Sequence, residues 1–221
     1  LLAEDRLLRR KVALKIMRAE LSAVPEFKQR FFREARAMAS VDSPHVMPLF
    51  QFGEDNGMLY ICMPYVPGET LADRLMRSPR MKPSQVIDLL MQLAEGLEAA
   101  HRVGLIHRDI KPSNVWLASN SGNMDEDSFS RALLIDFGLV RTDNNSVVLT
   151  GSKDLLGTPG YLAPEQAQRG RVDARSDLFS LGIIAYQALS GYNPFLRDSA
   201  ALTIQAIMNG NPRPVRLVQE S

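Results

Sequence analysis

The 221 residues contain one cysteine, one tryptophan and three histidines, and neither sign of charge dominates, with 26 Lys and Arg against 25 Asp and Glu. With Cys62 alone, no intrachain disulfide can form, which suits a reducing, cytoplasmic setting. The balance of +1 offers no concentrated basic face of the kind that nucleic-acid binding uses. The locally basic stretch 6–15 is interleaved with apolar residues like an ordinary strand pair. Long apolar runs are missing as well. The most apolar stretch, 178–189, falls short of the roughly 20 residues that a bilayer requires and reads as a buried helix. The opening residues, Leu-Leu-Ala-Glu-Asp-Arg, do not resemble a signal peptide. No membrane segment is expected within these residues, and an anchor outside them is compatible with all of this.

What is present suits a folded domain. Apolar residues make up 45% and charged residues 23%, enough to build one large domain or two small lobes. The first part reads β-rich with one helix. Residues 11–17 form an apolar, β-branched run. Pro25 sits where a helix can begin, and Phe27, Phe31, Ala35 and Met38 recur at helical spacing. Residues 46–52 and 58–63 read as strands joined by the turn Glu54-Asp55-Asn56-Gly57. Pro64-Tyr65-Val66-Pro67-Gly68 has restricted φ angles and reads as a lobe boundary. Helical patterns then take over. Val86, Leu89, Leu90, Leu93, Leu97 and Ala100 make one stripe that ends near Gly104, and helices are expected over 176–189 and 199–208. Residues 119–130 read as an exposed polar insertion between two short strands, and 139–162 as a long, adaptable loop.

Three short strings carry chemistry: Val12-Ala13-Leu14-Lys15, then His107-Arg108-Asp109-Ile110-Lys111-Pro112-Ser113-Asn114, then Asp136-Phe137-Gly138. Phosphoryl transfer depends on positioning and charge neutralisation more than on covalent chemistry. The strings supply a strand-end lysine, a proton-accepting carboxylate and two hard-oxygen side chains, in that order. Glu34 lies on the predicted helix, with Phe31 and Met38 a turn to either side, where its carboxylate can hold the Lys15 ammonium. Taken singly, each string is weak; a strand-end lysine is usually just exposed. Together they resemble the protein kinase family, and Lys111-Pro112-Ser113-Asn114 resembles its serine/threonine branch. Gln166 after Ala163-Pro164-Glu165 looks like the bacterial members.

The resemblance implies an α+β, two-lobed protein-kinase-like fold, with a small β-rich N-lobe carrying one helix and a larger, mainly helical C-lobe. It implies a partial N-lobe over 1–63, a hinge over 64–68 and a partial C-lobe over 69–221, truncated at both ends. A Gly-rich phosphate lid would precede Leu1, and the last C-lobe helices, with an arginine partner for Glu165, would follow. The 221 residues alone are therefore expected to transfer phosphate weakly or not at all, and the parent protein to be active.

By the same resemblance, Asp109 is the base, Lys111 steadies the transferred phosphoryl group, and Lys15 and Glu34 form an ion pair against the α- and β-phosphates. Asn114 and Asp136 would hold Mg²⁺, with Mn²⁺ as the alternative ion. For ATP, Ala13 and Trp116 would cover the two adenine faces, Met63 would be the gatekeeper, and the Pro64 carbonyl and Val66 N–H would bond the adenine edge. Proline at 64 keeps that carbonyl. Met38, Leu49, His107 and Phe137 would stack as a hydrophobic column, with His107 packing beneath Phe137 rather than acting as an acid or base. Gly138 would supply backbone angles that other residues adopt at a cost, and Asp177 would anchor the catalytic loop. Thr158 would dock substrate against Asp109 and Lys111. Arg108 implies regulation by phosphate on Thr150 and Ser152. The implied partners are protein substrates and a second copy for trans-autophosphorylation. The alternative, a pseudokinase-like nucleotide- or protein-binding module, is disfavoured by the complete set of catalytic side chains. Small-molecule phosphotransferases of the same fold are disfavoured by Ala163-Pro164-Glu165 and Lys111.

Overall fold

The computed structural model describes residues 1–119, 129–138, 159–168 and 170–217. A four-stranded antiparallel sheet comes first, in the order β1-β2-β4-β3, from β1 (Leu2–Asp5), β2 (Arg10–Ile16), β3 (Gln51–Asp55) and β4 (Met58–Pro64). The short α1 (Ala19–Ser22) leads into α2 (Pro25–Ala39). Proline at the first helical position is pre-set for helix and loses no intrahelical bond there. Phe27, Phe31, Ala35 and Met38 are the buried face of α2, as their spacing predicts. The two phenylalanines pack with Met17, Leu59 and Ile61 against the sheet, each such side chain contributing about 1.5–3 kcal/mol through removal from water. Between β3 and β4, Asn56 and Gly57 have φ of 48° and 75°, the left-handed pair of a two-residue hairpin.

The expected strand over 46–52 is not one strand. β3 begins at Gln51, and Val46 instead makes an isolated parallel bridge to Leu134. Met47 N donates to Leu134 O at 2.9 Å, and Leu134 N donates to His45 O at 2.8 Å. Pro48, lacking an N–H, cannot continue a ladder. The segment after α2 is thus stitched to the second sheet.

That second sheet, ordered β5-β6-β7, comprises β5 (Gly68–Thr70), β6 (Val115–Ala118) and β7 (Arg131–Leu134). Helices accompany it: α3 (Leu71–Arg77), α4 (Pro83–Arg102), α5 (Pro164–Ala167), α6 (Ala174–Ser190) and α7 (Ala200–Asn209). The helix α3 is absent from the periodicity reading. A reciprocal cap starts it, with Asp73 N donating to Thr70 Oγ1 at 3.1 Å and Thr70 N to Asp73 Oδ2 at 3.2 Å, a device visible in the spacing of the two residues. The main core joins α4 and α6 to β6 and β7, and it also takes in Met38, Val46 and Phe137. Packing is close where α4 crosses the 45–47 segment. A Cβ added to Gly96 would stand 2.8 Å from His45 O and 3.1 Å from Leu134 Cδ1.

Gly96→Ala should therefore force these elements apart and destabilise the fold by about 1–3 kcal/mol, in the range of core overpacking. A urea titration checks this; an unchanged midpoint would contradict the close approach.

Candidate active site

The catalytic-loop residues are set by a buried carboxylate. Asp177, one turn into α6 and only 1% exposed, accepts from His107 N at 2.9 Å through Oδ2 and from Arg108 N at 2.8 Å through Oδ1. The His101 ring, on the last turn of α4, donates its Nε2–H to Asp177 Oδ2 at 2.8 Å. These donors replace the water that a buried carboxylate would otherwise lose. Arg108 takes φ of 64° and Asp136 φ of 60°, left-handed angles that cost a non-glycine residue about 1 kcal/mol or more and persist where surroundings over-determine them.

His107 is fully buried and lies against Phe137, ring centroids 4.4 Å apart. Its Nε2 is 3.0 Å from Ile135 O. A carbonyl only accepts, so Nε2 carries the proton, and the bare Nδ1 faces Asp109 N at 3.4 Å. Burial is the largest influence on the ring and lowers its pKa from 6.5, outweighing the upward pull of Asp177, Asp109 and Asp136. The ring is neutral packing, as expected. Met38 and Phe137 belong to the main core, and Leu49 packs against it. Gly138 answers to a different need from the one expected. Its φ is not left-handed; a Cβ there would stand 3.0 Å from His107 O, the carbonyl that accepts from Gly138 N at 3.0 Å.

The reactive side chains assemble on this frame. Lys111 Nζ lies 2.8 Å from Asp109 Oδ2. Asn114 Nδ2 donates to Asp109 Oδ2 at 2.9 Å and to Asp109 O at 2.7 Å. Ile135 N donates to Asn114 O at 3.0 Å, which sets Asp136 beside Asn114 in the fold. Lys15, from β2, reaches Asp136 Oδ1 at 2.7 Å. Here the structure departs from expectation, because the described ion pair of Lys15 is with Asp136 and not with Glu34. The Glu34 side chain is 13% exposed and has Arg33 Nη2 4.0 Å away. Spacing on α2 puts Glu34 on the right face but cannot decide which of two carboxylates the ammonium meets.

The residues expected around adenine also gather. Ala13 lies opposite Met63 in the β2–β4 ladder, and Val12 opposite Pro64. Met63, Val66 and Trp116 pack together against Met47, Ala118 and Leu133. The Trp116 Nε1 is buried without an acceptor among the described residues. Among these residues no group of three or more His, Cys, Asp or Glu could hold a metal ion, and no helix is long and apolar enough to cross a membrane. Thr150, Ser152 and Thr158 lie outside the described residues. Two residues that sequence reasoning passed over matter here. His101 braces Asp177, and Gln166, read only as a family marker, donates from Nε2 to Arg108 O at 2.8 Å. Glu165 beside it accepts from the Ser176 hydroxyl.

A strand lysine, a carboxylate held by lysine and asparagine, and a second carboxylate across the cleft, on this pair of sheets, define a protein kinase domain. The chain belongs to the protein kinase domain family, which matches residues 2–219. It is similar to bacterial serine/threonine-protein kinases. It is 42% identical over 196 residues to pkn2 of Myxococcus xanthus, covering 88% of this chain and 23% of that relative. To PknB of Mycobacterium leprae it is 36% identical over 217 residues, covering 96% of this chain and 33% of that one. The chain thus spans well under half the length of these curated relatives. The crystal structure of the PknI kinase domain of Mycobacterium tuberculosis superposes with a TM-score of 0.71 at 28% identity, over 99% of this chain and 75% of that one. The fold is therefore the two-lobed α+β kinase fold.

Two outcomes follow from the frame. Asp177→Ala strands the His107 and Arg108 N–H groups, and a loss of about 3 kcal/mol or more is expected from denaturant titration. For His107, the folded pKa lies below the unfolded value of 6.5, so the unfolded chain takes up the proton first. Its contribution to stability is complete above pH 6.5 and is lost as pH falls below that value. An NMR titration should place the His107 midpoint below 6.5; a midpoint at or above it would contradict the neutral, buried ring.

Proposed function

We propose that the full protein is a serine/threonine protein kinase, transferring the γ-phosphoryl group of ATP to serine or threonine hydroxyls of protein substrates. The observation that carries this is the convergence of Lys111 and Asn114 on Asp109, 2.8 and 2.9 Å from its Oδ2. Lys111 and Asn114 hold the Asp109 carboxylate in place as the group to accept a substrate hydroxyl proton. The hydroxyl oxygen bonds to the γ-phosphorus, the bond to the β–γ bridging oxygen breaks, ADP leaves, and the proton passes to Asp109. Lys111 Nζ, beside Asp109, neutralises charge building on the transferred group. Lys15 lies where it can exchange Asp136 for phosphate oxygens.

Mg²⁺ fits the donor set. Asn114 commits its Nδ2 to Asp109, so it presents Oδ1, and Asp136, with a side chain 36% exposed, adds a carboxylate. Two hard oxygens suit an ion that otherwise keeps water and phosphate ligands. When bound, the ion would neutralise phosphate oxygens. Met63, Val66 and Trp116 would floor and gate the adenine, with the lobes joined over 64–68. Thr158 would dock the substrate hydroxyl, and phosphate on Thr150 and Ser152, added by a second copy, would bear on Arg108.

Asp109→Asn in the full-length protein should cut transfer by about a hundredfold or more while leaving the affinity for Mg·ATP within about threefold. Retained turnover would remove Asp109 as the base. Trp116 is the sole tryptophan of these 221 residues, so the emission of the 221-residue protein should change as Mg·ATP is titrated in. An unaltered spectrum alongside nucleotide binding by calorimetry would displace Trp116 from the adenine site.

A further inference from the structure

Gln166 sits in α5, directly after Ala163-Pro164-Glu165, and is 7% exposed. Its amide is used at both ends. Oε1 accepts from Ala163 N at 3.0 Å, closing the first turn of α5, and Nε2 donates to Arg108 O at 2.8 Å. Arg108 is the residue in the left-handed conformation just before Asp109, with φ of 64°. Its N–H is held from the other side by Asp177 Oδ1 at 2.8 Å. The peptide units on both sides of the Arg108 Cα are therefore clamped, one by α6 and one by α5.

The Arg108 carbonyl shares a rigid plane with Asp109 N, and that N–H faces His107 Nδ1 at 3.4 Å. Whatever fixes the carbonyl fixes the peptide plane, and with it the Cα, from which the Asp109 side chain departs. We propose that Gln166 is a positioning residue for Asp109, coupling the placement of the 159–168 segment to the geometry of the base. The inference rests on the kinase reading above. Chemistry bears on the residue type: an amide accepts at one atom and donates at the other, which an ionised carboxylate cannot do. A glutamate would keep the shape and the cap on Ala163 but set an acceptor against the Arg108 carbonyl, at a site too buried for water to intervene.

The 159–168 segment is itself tied down. Gly160 O accepts from Asn193 Nδ2 at 3.0 Å, and Tyr161 O accepts from Ser180 Oγ at 2.7 Å. A displacement of this segment would pull on the Arg108 carbonyl through Gln166, a mechanical link from segment to base.

The test compares the full-length wild type with Gln166→Glu and Gln166→Met, in transfer from Mg·ATP to dephosphorylated casein and in amide exchange of residues 105–111. Gln166→Glu should lower kcat about tenfold with the KM for ATP within about twofold. It should also speed exchange in 105–111 about tenfold while the thermal midpoint holds. Gln166→Met, which keeps volume and loses both bonds, should reproduce the kcat and exchange effects if the glutamate variant does not fold. Wild-type kcat and exchange in the variants overturns the proposal. So does a uniform loss, in which midpoint, KM and exchange across the whole chain shift together, because that marks a structural role only. If the wild type and an Asp109→Asn control transfer equally little, the kinase reading falls, and the exchange arm alone still decides whether Gln166 holds the Arg108 carbonyl.

Discussion

The geometry of the site depends on a carboxylate that never meets solvent. Asp177 is buried at the start of α6 and is satisfied only because the chain at 107–108 turns two consecutive N–H groups toward it, with His101 completing the set. The dependence runs both ways. Without those donors a charge in the core would cost several kcal/mol; without the carboxylate, nothing on that side would hold Arg108 at a left-handed angle. Once those N–H groups are fixed, the His107 ring lies under Phe137, the Asp109 backbone is aimed, and Lys111 and Asn114 fall within hydrogen-bond reach of its carboxylate.

The same economy appears where the two sheets meet. The 45–47 segment bonds to Leu134 of β7, and β7 runs on into Ile135 and Asp136. Ile135 contributes on both faces, its N–H to Asn114 O and its carbonyl to His107 Nε2. The strand that joins the small sheet to the core thus also delivers the second acidic group and orients the asparagine. Packing and chemistry share one short stretch of backbone. That is why a methyl group at Gly96, well away from any reactive atom, bears on the site.

Local pattern made a large part of this legible. The apolar stripes of α2 and α4, the Asn56-Gly57 turn and Gly104 just after α4, with φ of 74°, follow from spacing and from backbone angles that few residues adopt cheaply. The order of the three motif strings was enough to indicate the family. Where the reading failed, the cause was non-local. Residues 46–52 carry strand-like composition, yet Val46 and Met47 bond to Leu134, more than 80 residues later, and Phe50 N donates to Cys62 O of β4. Lys15 has two carboxylates to choose from, and which one it meets is a matter of tertiary placement. Gly138 is required by a carbonyl from another loop rather than by its own angles. Gln166 looks like a marker in the sequence because its partner is the backbone of Arg108, and backbone acceptors leave no trace in side-chain patterns. Thr70 and Asp73, by contrast, carry a local capping signal for α3 that the reading of apolar periodicity passed over.

The Lys15–Asp136 contact has one more consequence. Lys15 rides on β2, and Glu34 rides on α2, which is packed onto the same sheet; Asp136 belongs to the other body. A bond to Glu34 would be internal to the small lobe, whereas the bond to Asp136 is a clasp across the cleft. Both side chains are about one-third exposed, so the clasp is worth about 1 kcal/mol or less and loosens as ionic strength rises. Thermal motion alone opens so weak a fastening often, and each opening releases the β2 ammonium from the other body of the fold.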